Sequence, residues 1–141
     1  MLSQLTVFLE NKSGHLASAC RTIAQAGLNM RALFLADSAE FGVARIFCDQ
    51  PDQAVKELRQ AGFMAKTTQV LAVRLPDQTG CLASLLEFLD EQGINLEYGY
   101  CFPHSDGYAI DVLKTDGDQV ERQLALAGYQ MVEANQVYQP N

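Results

Sequence analysis

Asn11-Lys12-Ser13-Gly14-His15-Leu16, a helical stretch and then Gly27-Leu28-Asn29 decide how this chain is read, because the pattern occurs twice. Asp77-Gln78-Thr79-Gly80-Cys81-Leu82 opens a second helical stretch that ends in Gly93-Ile94-Asn95. Each landmark recurs at an offset of 66 residues: 11 with 77, 14 with 80, 16 with 82, 27 with 93 and 29 with 95. Self-similarity at a fixed period marks repeated copies of one structural unit.

Around the first copy, Leu5, Val7 and Leu9 alternate with Gln4, Thr6 and Phe8 and predict a strand over Leu2–Leu9. A helix follows from Gly14 to Ala26, with Leu16, Cys20 and Ile23 on its apolar face and Ala17, Ala19 and Ala24 as close-packing fillers. Gly27 ends it as a left-handed C-terminal residue does. Leu28–Ala36 and Phe41–Cys48 read as a hairpin around Asp37-Ser38-Ala39-Glu40. Asp49-Gln50-Pro51-Asp52 starts a second helix, which buries Ala54, Val55, Leu58 and Ala61 and stops at Gly62. A fourth strand begins near Phe63.

The second copy reads the same way. Strands are predicted at Val70–Leu75, Ile94–Phe102, Tyr108–Lys114 and Gln130–Gln139, with the hairpin turn at Pro103–Gly107. Helices are predicted at Gly80–Gln92, with Leu82, Leu85, Leu86 and Leu89 on one face, and at Asp116–Ala127. The halves align without a gap, which pairs Arg45 with Asp111 in the third strands. The fold class is therefore α+β: two ferredoxin-like βαββαβ units in tandem, antiparallel sheets with helices on one face, divided as residues 1–68 and 69–141. Phe63–Leu75 contains no Gly or Pro. It predicts one long bent strand shared by two sheets, about 43 Å if fully extended at ~3.3 Å per residue, with no flexible linker.

Composition narrows the function. A net charge of −7 speaks against nucleic acid and against an anionic membrane surface as partners. With 48% hydrophobic residues in 141, the chain has enough apolar material for a packed core. Met1-Leu2-Ser3-Gln4 lacks the basic start of a signal peptide, no apolar run approaches a membrane span, and a cytoplasmic location is expected. Cys20, Cys48, Cys81 and Cys101 form no Cys-x-x-Cys pair. They are expected to be reduced, mostly buried thiols with no metal; Cys81, at a helix start, is the one with a reactive context.

Chemistry points to the twin loops. Each leads into a helix N-terminus, where free N–H groups and the dipole favour an anion such as a carboxylate. Asn11 or Asp77 at the loop start accepts a hydrogen bond from an ammonium group, and Asn29 or Asn95 offers both a donor and an acceptor. Together they suit an amino acid. The alternative is structural: Asn, Ser, Thr and Asp are ordinary helix caps, and Asn after a helix-ending Gly is an ordinary turn residue.

At these residues the chain resembles the ACT domain, a regulatory βαββαβ module, here in tandem over essentially the whole sequence. The pattern is a polar residue after the first strand, then Gly and an apolar residue, then Gly-apolar-Asn after the helix. The chain departs from it at Ser13 and Thr79, where many members carry Pro. The resemblance implies ligand contacts from Asn11, Asn29, Asp77 and Asn95 at an interface between paired ACT domains. The candidate set is Asn11, Lys12, Ser13, Gly14, His15, Leu16 and Asn29 in the first unit, and Asp77, Gln78, Thr79, Gly80, Cys81, Leu82 and Asn95 in the second. If only one site is active, Lys12 favours the first.

No nucleophile–base pair or acid/base pair converges in sequence, and His15 and Cys81 fall at matching places in different units. The expectation is a non-catalytic, cofactor-free regulatory protein that binds an amino acid as a homodimer. The alternative is a ligand-free subunit that pairs with a separate enzyme of amino-acid metabolism.

Overall fold

A computed structural model describes residues 1–10, 12–37, 41–134 and 136 of the chain. The elements run β1 (Leu2–Glu10), α1 (His15–Gln25), β2 (Met30–Asp37), β3 (Phe41–Cys48), α2 (Pro51–Gln60), β4 (Met64–Pro76), α3 (Cys81–Glu91), β5 (Leu96–Pro103), β6 (Tyr108–Thr115), α4 (Val120–Leu126) and β7 (Gln130–Met131). They form two compact units, Ser3–Thr68 and Gln69–Asn141 with Met1–Leu2. Both are ferredoxin-like α+β folds of antiparallel strands and two helices. Among the described residues no helix is long and apolar enough to cross a membrane.

In the N-terminal unit the strands lie in the order β2-β3-β1-β4. The alternation read from Leu5, Val7 and Leu9 places them opposite Ile46, Ala44 and Gly42 of β3. Leu5, Val7, Leu9, Ala44 and Ile46 form one core with Ala19 and Ile23 of α1 and Ala54, Val55 and Leu58 of α2. The C-terminal unit repeats that order as β5-β6-β4-β7. Leu71, Val73 and Leu75 pack there with Leu85, Leu89, Leu113, Val120 and Leu124. Both β2 and β5 carry a register shift at their starts, between Met30 and Ala32 and between Leu96 and Tyr98, 66 residues apart.

The long strand read from Phe63–Leu75 is found as β4, a single strand of 13 residues. Four expectations are corrected. The described part of the last strand is Gln130–Met131, with Ala134 in helical geometry; positions 135 and 137–139 of the predicted segment lie outside the described residues, as does most of the first hairpin turn. The fourth helix starts at Val120, because Asp116–Gln119 form bends that precede it. Leu82 and Leu86 are 45% and 39% exposed, so the buried face of α3 is Leu85 and Leu89, one residue in four. Only Cys48 is buried: Cys20 and Cys81 are half-buried and Cys101 is exposed.

The alignment without gaps also fails locally. Val7 faces Ala44 while Val73 faces Asp111, so the third strands correspond at an offset of 67. One residue is gained in the β5–β6 turn and one is lost before α4. Arg45 therefore matches Val112, and Asp111 matches Ala44. A shift of one residue exchanges the two faces of a strand. Arg45 lies on the face of Thr6, where its guanidinium donates to Thr6 Oγ1 at 3.3 Å, beside a Thr6–Thr68 hydroxyl contact of 2.8 Å and the Gln4 amide. Asp111 lies on the opposite, helix-facing side with Val73 and Leu113.

Candidate functional site

The twin loops share one backbone design. Lys12 N–H donates to the Glu10 carbonyl at 2.8 Å, His15 N–H to Lys12 at 3.4 Å and Ser18 N–H to Gly14 at 2.9 Å. The counterparts are Gln78 to Pro76 at 2.9 Å, Cys81 to Gln78 at 3.2 Å and Ser84 to Gly80 at 3.0 Å. Gly14 and Gly80 stand at the helix starts with φ of 84° and 90°. That left-handed geometry strains any residue with a Cβ, which is why the loop requires Gly there. Both N-cap positions are glycines, and among the described residues no side chain caps either helix. The capping role open to Ser13, Thr79 and Asp77 is thus not the one they perform, and the helix N-termini face outward uncapped.

Asn11 lies outside the described residues. Lys12 and Ser13 are exposed, and the Lys12 ammonium sits 3.0 Å from the Glu10 carboxylate, which Lys12 holds below the usual carboxylate range. Leu16 is half-buried against the first core. Asp77, Gln78, Thr79, Gly80 and Leu82 are exposed. The N–H of Asp77 donates to Gly107 at 2.8 Å, tying the second loop to the β5–β6 turn.

Asn29 and Asn95 do not join the loops of their own units. They follow the far ends of α1 and α3, whose 11 residues each span about 16 Å. Both close the start of the following strand instead. Asn29 N–H donates to Asp49 Oδ1 at 2.8 Å, and Asp49 N–H returns to the Asn29 carbonyl at 3.2 Å. Asn95 Nδ2 donates to Asp116 Oδ2 at 3.3 Å, and Asp116 N–H to the Asn95 carbonyl at 3.3 Å.

The decisive difference is at the first helical residue. His15 is fixed: Glu10 N–H donates to its Nδ1 at 2.9 Å, and its ring stacks on Phe63, with centroids 5.1 Å apart and planes 28° apart. This occupies the β4 flank of the first loop. The first loop's hollow, ≈ 290 Å³, opens on the other flank, toward Leu35 and Gly42 of the hairpin.

In the second unit Cys81 replaces His15 and Tyr129 replaces Phe63. Tyr129 leans on Phe88 of α3, centroids 5.7 Å apart, where the first unit has Thr22. The space over Cys81 stays open. A hollow of ≈ 500 Å³ results, bounded by Arg74, Thr79, Gly80, Cys81, Tyr108 and Tyr129. The Arg74 guanidinium lies 3.5 Å over the Tyr108 ring and donates to Gln130 Oε1 at 3.4 Å. Arg74, Tyr108, Tyr129 and Gln130 were not among the sequence candidates. A comparison of the halves for changes of chemistry points to them, since Arg74 stands where the first unit has Phe8 and Gln130 where it has Met64.

On the hairpin side of the second loop, Asp111 is 5% exposed between Val73 and Cys101. Burial pushes its carboxyl up to about 6. Partial desolvation pushes up the thiol of the exposed Cys101, reinforced by the charges of Asp111 and Asp77, and burial takes Cys48 to about 12. Among the described residues no group of three His, Cys, Asp or Glu is placed to hold a metal ion.

Two βαββαβ units, each with a left-handed Gly between its first strand and first helix, define a tandem ferredoxin-like fold. The chain belongs to the ACT domain family: its residues 1–139 match the ACT domain pair. It is similar to protein BT0572 from Bacteroides thetaiotaomicron, with 32% identity, 98% of this chain and 96% of that chain covered, and a TM-score of 0.90. It shares its fold with the ligand-free regulatory subunit of aspartate kinase from Thermus thermophilus, at 14% identity, 89% of each chain and a TM-score of 0.66. The aspartokinase alpha and beta subunits are similar at 17% identity, with 88% and 87% covered and a TM-score of 0.57. No curated protein matches the sequence.

Proposed function

We propose that this chain is a non-catalytic regulatory protein of the cytoplasm that binds an amino acid at its loop–helix junctions. The observation that carries this reading is the matched pair of loops. Both hold a left-handed Gly at an uncapped helix start, an arrangement that leaves backbone donors and the positive end of the dipole free for a carboxylate. The aspartate kinase regulatory subunits that share the fold are consistent with a regulatory role.

The ligand-binding form is a homodimer of this two-unit chain, with units 1–68 and 69–141 as its ACT domains. Asn29 and Asn95 lie a helix length from the loops of their own units, so they reach a ligand only from another ACT unit. Strand β2 supports such pairing. It ends the strand order of its unit and exposes Leu33, Phe34 and Leu35 by 44%, 37% and 48%. An open strand edge with apolar side chains is a template for a second chain. A ligand between paired domains then biases their packing, which a separate metabolic enzyme reads.

The same exposed edge, with Leu82 and Leu86 on α3, favours a second reading: a ligand-free module that docks on an enzyme. Thermal denaturation against the twenty amino acids separates them. A ligand at 100 times its Kd stabilises the folded state by about 2.7 kcal/mol. The first reading expects such stabilisation by one or a few amino acids, reduced in Asn29→Ala or Asp77→Ala. No response to any of the twenty, in a protein that still dimerises, leaves the second.

A further inference from the structure

We propose that the hollow of the C-terminal unit is a carboxylate site in which Arg74 reads the anion, and that the corresponding flank of the N-terminal unit is closed. The proposal rests on the amino-acid reading above and assigns its anion to one place.

The internal repeat supplies the control. At four matched positions the N-terminal unit has Phe8, His15, Phe63 and Met64, and the C-terminal unit has Arg74, Cys81, Tyr129 and Gln130. The first set fills the flank of its loop with the His15–Phe63 stack. A hollow of ≈ 380 Å³ does lie beside Phe8, Phe63 and Met64, but it touches none of the described residues of the first loop. The second set opens the flank over Cys81, and two of its changes, Phe8 to Arg74 and Met64 to Gln130, line it with polar groups.

Arg74 is arranged to hold a monoanion. Its ring partner Tyr108 covers one face of the guanidinium at 3.5 Å and fixes the plane. Of five N–H donors, the structure gives one to Gln130 Oε1, at a long 3.4 Å. The remaining edge has the fork geometry that takes a carboxylate in a bidentate pair. The Thr79 hydroxyl and the uncapped start of α3 line the same space. Tyr129 and Cys81 offer apolar and polarisable surface to the rest of the molecule. A single guanidinium with the exposed Asp77 on the adjoining loop, in a chain of net charge −7, suits a small monocarboxylate and disfavours a phosphate dianion.

Cys81 makes the test direct, because it lies in the hollow and is half-buried. The alkylation rate of Cys81 by iodoacetamide, resolved by peptide mass spectrometry, is measured on the intact protein. The probes are millimolar concentrations of each of the twenty amino acids, the α-amide of any that protects, and inorganic phosphate. At least one amino acid should slow Cys81 alkylation at least about threefold, while its amide and phosphate do not. In Arg74→Met the protecting affinity should fall about tenfold or more, the loss expected for a charged hydrogen-bonded pair. Arg74→Lys should recover part of it, and Cys81→His, which rebuilds the closed flank, should abolish ligand-induced thermal stabilisation. Equal protection by amide or phosphate, or unchanged protection in Arg74→Met, overturns the proposal. Stabilisation by an amino acid with no protection of Cys81 overturns it while leaving the regulatory reading standing. Neither stabilisation nor protection sinks both.

Discussion

The two loop–helix junctions have the same backbone and opposite open sides. Three backbone hydrogen bonds of each loop correspond, their glycines share a left-handed φ, and among the described residues no side chain caps either helix. What differs is which side chain follows the glycine and where one aromatic ring leans. His15 draws Phe63 over the first loop; Phe88 draws Tyr129 away from the second. A repeat therefore conserves the site's frame through its backbone while a few side chains decide which flank a ligand can enter. The difference also bears on Lys12, which favours the first site in the sequence. Its ammonium is paired with Glu10, and the larger hollow lies in the other unit.

The comparison can be broken most sharply at the cores, which should be equivalent where the loops are not. Leu58 and Leu124 are both fully buried, 66 residues apart. Leu58→Ala and Leu124→Ala should each cost about 2–5 kcal/mol by cavity formation. Urea denaturation measures this; a cost confined to one variant means that the units do not contribute alike to stability.

A smaller effect sharpens the difference between the faces of β3 and β6. Asp111 occupies a helix-facing position that in the first unit belongs to Ala44. Its folded carboxyl titrates near 6, above an unfolded value near 4. The sign follows from linkage. Its contribution to stability is fully present below the unfolded value and is lost as pH rises through about 6, so the ionised group is a burden at neutral pH. Asp111→Asn should raise the melting temperature at pH 8 by several degrees, on the order of 1–2 kcal/mol, with the gain vanishing near pH 4. A gain independent of pH contradicts the buried-carboxyl account.

The smallest expected change lies at the stack. His15→Ala should cost about 1 kcal/mol through the lost ring contact, and Cys81→Ala close to nothing. Equal effects in thermal denaturation would remove the asymmetry on which the two flanks differ.

Much of this architecture is legible in the sequence. The alternation of Leu5, Val7 and Leu9, the glycines at 14, 27, 80 and 93 and the constant offset specify both units and both loops. The sidedness is not legible, for two physical reasons. A one-residue gain in the β5–β6 turn, compensated before α4, moves Asp111 to the opposite face from the one that equal spacing assigns. The open flank depends on a contact between Phe88 and Tyr129, residues on different elements, and no local periodicity encodes that contact. Asn29 and Asn95 look like loop partners because spacing in sequence does not show that a whole helix stands between.

Calorimetric titration of the intact protein with an amino acid that stabilises it shows whether the two junctions are interchangeable. One high-affinity molecule per chain is expected, lost in Cys81→His and retained in His15→Ala. Two molecules per chain with equal affinity, or a single site lost in His15→Ala and indifferent to Cys81→His, would contradict it.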